Sequence, residues 1–175
     1  MVTFYHTDDV AKGNITTNAT NTTYNATSDY RLKDNVEVLG WEESLSRIMS
    51  IKPSSWNWKL NGLPGEGFIA HELKEFFPGA VTGNKDEVEE IGEIRDESGN
   101  LVKENVPQIV MGDYPEPDFP GYSWSKTAER PVYQSLDTHM VVAALVRTVQ
   151  HQQEQIANLK QLLIDKGVAT DEEVL

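Results

Sequence analysis

Near the C-terminus the side chains Val142, Leu145, Val149, Gln152, Ile156, Leu159 and Leu163 recur at alternating intervals of three and four. This is the spacing of a heptad seam on a helix, with Val142, Val149, Ile156 and Leu163 at a and Leu145, Gln152 and Leu159 at d. Ser135 is the expected N-cap, with Asp137 in the first turn, and no Gly or Pro intervenes before Gly167 ends the pattern. From Val142 to Leu163 such a helix extends about 33 Å. A helix with one apolar stripe needs a partner. Val141, Ala144 and Val146 offer a way to pack onto its own domain, but beyond Arg147 the apolar positions narrow to the seam, which favours another copy of the chain. Identical parallel helices bring identical layers together, so that three Gln152 side chains can hydrogen-bond around an axis. Trimer and dimer both stay open, because β-branched a positions with Leu at d also suit two strands.

Upstream the periods are shorter. Val36, Val38 and Leu39 predict a short strand, and Leu45, Ile48 and Met49 share one face of a helix that ends before Pro53. Trp56-Asn-Trp58-Lys-Leu60 alternates as a half-buried strand, with both tryptophans expected in the core. Turn residues Asn61-Gly62 and Pro64-Gly65 follow. Gly67-Phe-Ile-Ala reads as the returning strand, and His71-Glu-Leu-Lys-Glu-Phe-Phe as a short amphipathic helix closed by Pro78-Gly79. Residues 83–131 read as an insertion: an acidic run at 86–90, a hairpin turn at Asp96-Glu-Ser-Gly-Asn100, then a segment with Pro107, Pro115, Pro117, Pro120 and Pro131. Residues 1–27 are rich in Asn and Thr without a helical stripe, which fits extended or β material that pairs between chains. The expected organisation is a fibrous stalk end or leader over 1–27, a globular domain over 28–134, a trimerisation helix over 135–167 and an acidic tail over 168–175. The fold class is α+β.

Composition narrows the chemistry. The 175 residues include no cysteine, which excludes disulfides, thiolate metal sites and cysteine nucleophiles. A net charge of -13 disfavours nucleic acid, whose binding depends on clustered Lys and Arg. No apolar run is long enough for a membrane span. His6, His71, His139 and His151 lack the spacing of a zinc site, and the carboxylates of 86–90 lack the alternation and fixed Gly of a calcium loop, so no metal or other cofactor is expected. Asn-x-Thr triplets begin at Asn14, Asn18, Asn21 and Asn25, a glycosylation pattern that a tract of Asn and Thr also produces by composition alone.

Between the polar tract and the first hydrophobic pattern stands Ser28-Asp-Tyr-Arg-Leu-Lys-Asp-Asn35. A serine hydroxyl is a poor nucleophile until a base takes its proton, and a lysine amine serves when held neutral. That requires lowering a lysine pKa by roughly 2 to 3 units, through desolvation or a neighbouring positive charge, for which Arg31 is the candidate. Spacing alone is weak evidence for such a pair.

The octapeptide resembles the motif Ser-Asp-x-Arg-Leu-Lys-x-Asn that opens the C-terminal intramolecular chaperone domains of phage tailspikes, tail fibres and neck appendages. Those domains are self-cleaving serine peptidases, related also to the autoprocessing domain of myelin regulatory factor. Gly67-Phe-Ile-Ala-His-Glu is similar to that family's Gly-x-Ile-Ala-Gln-Glu block, with His71 departing from the glutamine, and Tyr133 leads into a Gln-rich helix with Ile156-Ala-Asn-Leu159. The resemblance spans roughly residues 28–165. It implies a homotrimer that registers an upstream stalk of the same chain in the host cytoplasm during virion assembly. The chaperone is then released by cleavage between Thr27 and Ser28, while the parent fibre stays on the virion. By the same resemblance Ser28 is the nucleophile and Lys33 the general base, while Asp29, Arg31 and Asn35 position them. Two other readings remain: a non-catalytic trimeric cap of a fibrous protein, and a glycosylated extracellular binding module.

Overall fold

The computed structural model describes residues 2–5, 11–108, 110 and 121–170. His6, Pro115, Pro117, Pro120 and the tail beyond Thr170 lie outside the described residues. The chain forms two compact units, Met1–Val38 and Leu39–Leu175.

In the first unit, strands β1 (Val2–Tyr5), β2 (Ala11–Thr17) and β3 (Thr22–Ala26) make an antiparallel sheet with β2 in the centre. Three of the four asparagines that begin Asn-x-Thr triplets have structural roles here. Asn14 and Asn25 face each other across the β2–β3 ladder, and the Asn25 amide donates to Asn14 Oδ1 at 2.8 Å. Asn18 Oδ1 accepts from the backbone N–H groups of Thr20 and Asn21 and so closes the hairpin. β3 is exposed along its length.

In the second unit the core forms where four helical pieces meet. Helix α1 (Trp41–Ser50), α2 (Ala70–Lys74), a 3-10 turn at Pro78–Ala80 and the start of the long helix α3 (His139–Asp165) enclose Leu73, Phe77, Ala80, Val81, Val141 and Ala144. Phe77 is fully buried, with the Arg47 guanidinium 4.5 Å from its ring centroid. Trp41 stacks on His151 at 3.7 Å, which fastens α1 to α3 one turn beyond the buried Thr148.

The helix α3 starts later than Ser135. Ser135 and Leu136 instead form β10 (Ser135–Leu136), paired with β6 (Val81–Thr82). Thr138 is the N-cap, and the Asp137 carboxylate takes the otherwise orphaned N–H of His139 at 2.9 Å. At the other end Gly167 has φ +66°, donating to Ile164 O while Val168 donates to Leu163 O, both at 2.9 Å. This is the Schellman closure expected of that glycine.

Residues 83–131 carry more regular structure than their composition predicts. Strands β7 (Val88–Arg95), β8 (Leu101–Pro107) and β9 (Ser123–Pro131) form an antiparallel sheet with β7 central. Asp96 builds the expected turn between β7 and β8 by accepting from Ser98 N and Asn100 N. The acidic run is partly neutralised across the ladder, by Lys126 on Glu90 and Arg130 on Glu89, each at 2.7 Å. Gly92 sits at a bulge, where a Cβ would lie 2.1 Å from Ser125 O and 2.6 Å from the Trp124 ring. Gly92→Ala is therefore expected to lower stability by about 1–3 kcal/mol, measured as a shift of the urea midpoint.

Three strands differ from expectation: the returning strand runs over Pro64–Gly67 rather than Gly67-Phe-Ile-Ala, so Pro64 and Gly65 lie in the ladder and not in a turn. β4 (Ser54–Asn57) pairs with β5 (Pro64–Gly67), so the first strand stops before Trp58, which is 55% exposed and packs edge-on against Trp56. Residues 36–39 join no strand. No helix among the described residues is long and apolar enough to cross a membrane.

Candidate functional site

The motif residues fold into one short turn of the first unit. Asp29 is the N-cap of a 3-10 turn over Tyr30–Leu32, and Lys33 is its C-cap. Ser28 enters the turn and Lys33 leaves it in extended conformation, so the long lysine side chain folds back over the turn. Lys33 Nζ donates to Ser28 Oγ at 2.7 Å. The five-residue spacing thus closes into direct contact.

Asp29 holds this geometry. Its Oδ1 accepts from Arg31 N and Arg31 Nε, both at 2.9 Å, and its Oδ2 accepts from Arg31 Nη2 at 2.7 Å. The Arg31 side-chain bonds first, then its backbone N–H, with Lys33's charge adding, hold the Asp29 carboxyl below its ordinary 3.8. The same ion pair raises the Arg31 pKa. A carboxylate with a depressed folded pKa contributes fully above its unfolded value, and that contribution is lost as pH falls through the folded one. The turn is therefore expected to persist unchanged down to pH 3.8 and to loosen only below it, read as late acid titration of the Asp29 carboxyl by NMR together with faster exchange of the Arg31 amide.

Asn35 has φ +51°, the left-handed region that Asn enters more readily than most residues, and so redirects the chain just after Lys33. Within the turn the backbone N–H groups of Arg31, Leu32 and Lys33 are spent on Asp29 and Tyr30. Donors for a developing oxyanion must come from outside these three.

The surroundings of the pair differ from what a lysine base requires. Ser28 and Lys33 are both exposed, and Arg31, the expected positive neighbour, is forked onto Asp29. The single chain brings the Ser28 hydroxyl and the Lys33 amine together and leaves both exposed.

The seam residues lie on α3, one position around from the face that packs on the domain. Val141, Ala144, Thr148 and His151 point inward, while Val142, Leu145, Val149, Gln152, Ile156 and Leu159 are exposed and Leu163 is half-buried. A one-residue offset is a rotation of about 100°. Of the three residues expected to pack onto the domain, Val141 and Ala144 do, and Val146 remains half exposed. No cluster among the described residues has the composition of a metal site.

One feature escaped the sequence reading: an open apolar groove in the second unit, walled by Trp56, Trp58, Leu60, Phe68, His71 and Tyr133. Its signal was present in the polar company of the tryptophans, Asn57, Lys59 and Asn61-Gly62, which a core strand does not keep.

Residues 28–82 match the family model Peptidase_S74, described as chaperone of endosialidase. The matched segment begins at Ser28 and contains the first two motif blocks, and the resemblance read from those residues holds there. The Gln-rich helix lies outside it. No curated protein matches the chain.

Proposed function

We propose that this chain, whose residues 28–82 match the chaperone of endosialidase, is a self-releasing intramolecular chaperone that assembles as a parallel trimer through α3. The observation that carries the reading is the 2.7 Å contact between Lys33 Nζ and Ser28 Oγ, made by a turn at the start of the matched segment. The family description supports the chaperone role, and the family name supports peptidase chemistry.

The chaperone role has a physical rationale. Three separate chains meeting in register pay a large entropic cost, and a trimer that forms first makes the pairing of the attached N-terminal strands effectively intramolecular. Residues 1–27 are read as the end of such a stalk, aligned during particle assembly in the host cytoplasm. Cleavage then removes the tether, and the product persists behind its own unfolding barrier.

In the proposed reaction a neutral Lys33 amine takes the Ser28 hydroxyl proton, and Oγ bonds to the Thr27 carbonyl carbon. The Thr27–Ser28 C–N bond breaks as the ammonium returns the proton to the departing nitrogen. An ester now joins Thr27 to Ser28 Oγ. Water, its proton drawn by the same amine, adds to that ester and releases a Thr27 carboxylate and a Ser28 with free hydroxyl and free amino group. The exposure of the pair in one chain supports making this step depend on assembly, since packing of neighbouring copies would supply the desolvation the amine needs.

That same exposure favours a second reading, a non-catalytic trimeric cap. Mass spectrometry of the assembled protein separates the two. The chaperone reading expects a fragment whose first residue is Ser28, and an intact chain under assembling conditions selects the cap.

A further inference from the structure

The segment that follows the reactive turn is apolar and uncovered. Beyond the left-handed Asn35, Val36 and Val38 flank Glu37 as strand residues do, yet residues 36–39 join no strand, and Val36 and Val38 are 75% and 86% exposed, while Leu39 is tied to α3 by the bond from Arg147 Nε to its carbonyl at 3.0 Å. The groove of the second unit, about 740 Å³ in volume, is also uncovered, and Leu60 on its wall is 96% exposed. Exposed apolar surface of this kind marks an interaction site.

Two properties of the groove select its occupant. In a chain with 28 acidic against 15 basic residues, the described residues that line the groove include Lys59 and His71 and no carboxylate. Residues 34–39 carry Asp34 and Glu37 and no basic side chain. The groove is also bordered by β4, which among the described residues is paired only with β5. Its other edge offers backbone N–H and C=O groups to an incoming strand.

We propose that the groove receives residues 34–39 of a second copy of this chain, added as a strand beside β4. Val36 and Val38 then face the tryptophans, and the acidic side chains are drawn to Lys59 and His71 of the lining. Each copy presents one segment and one groove, so the contact is heterologous, and under the threefold symmetry of a trimer it closes into a ring. The proposal rests on the trimeric reading above and gives its assembly dependence a route. Asp34 directly follows Lys33, so seating this segment in a neighbour fixes the turn that carries Ser28 and Lys33.

The absence of cysteine makes the test clean. Size-tagged chains carrying Val38→Cys, co-expressed with untagged chains carrying Leu60→Cys, are treated with a short bismaleimide and run on a denaturing gel. A band joining one tagged and one untagged chain is expected. In a chain carrying both substitutions, a bridge confined to that chain overturns the proposal by showing that the segment fills its own groove. Absence of any 38–60 bridge, while a Val149→Cys chain still links to its twins, overturns this contact and leaves the trimer standing. Failure of the Val149→Cys link removes the trimeric reading itself. As a second measurement, Leu60→Asp changes a fully exposed side chain and should slow cleavage roughly tenfold or more without altering the sedimentation mass; unchanged cleavage overturns the proposal.

Discussion

Ser28→Ala is expected to leave the chain whole under conditions where the parent chain separates between Thr27 and Ser28. Removing the nucleophile of a covalent mechanism costs on the order of 10⁴-fold or more in rate, about 5.5 kcal/mol of barrier. Lys33→Ala should fail similarly, because its amine is the group in contact with Oγ. Lys33→Arg discriminates further. It retains the positive charge but cannot accept a proton, so a purely electrostatic role predicts retained cleavage and a general-base role predicts none. None of these changes should unfold the protein, since both residues are exposed and lie outside the packed core. Denaturing gels give the cleavage, and amide exchange in α3 gives the integrity of the fold. A Ser28→Ala chain that still separates at the same bond would sink the assignment of the nucleophile.

How much of this was legible in the sequence depends on where the determining interactions lie. The body of α3, its stop at Gly167 and the helix around Leu73 are written in local periodicity and capping, and the structure has them. The start of α3 lies beyond Ser135 because Ser135 and Leu136 are claimed by a distant strand, Val81–Thr82, a pairing no local signal encodes. β9, Ser-Trp-Ser-Lys-Thr-Ala-Glu-Arg-Pro, has no hydrophobic alternation. Its strand is drawn out by the β7 ladder and by cross-strand ion pairs to Glu89 and Glu90. Residues 36–39 show the reverse failure: the alternation is present, but among the described residues no strand pairs with it. At the turn that holds Ser28 and Lys33, the motif gave the residues and the structure gave their contacts. Asp29 is a cap and a clamp together, and Arg31 is its counterion rather than a bare charge beside the lysine. What makes a lysine basic is its surroundings, and those are not local in sequence.

The second large effect is expected at the seam. Val149→Glu combined with Ile156→Glu places charge at two a positions that are about half exposed in the single chain, so the intramolecular core should tolerate both. In an assembled trimer the same positions meet their copies at the axis. Each apolar side chain lost there forfeits about 2 kcal/mol of burial, which over three chains sums to on the order of 10 kcal/mol before repulsion among the carboxylates is added. The sedimentation mass should fall to that of one chain, with helix content and the Trp41–His151 stack retained. Cleavage should stop as well, although Ser28 and Lys33 are untouched, and this separates assembly-dependent catalysis from a pair that works by itself. Gln152→Leu should act in the opposite direction: it replaces the polar layer with an apolar one, tightens the assembly and weakens the device that fixes its register. If the doubly charged variant stays assembled, the exposed stripe is not the interface. If it dissociates and still cleaves, the turn alone supplies everything the reaction needs, and the link between assembly and release fails.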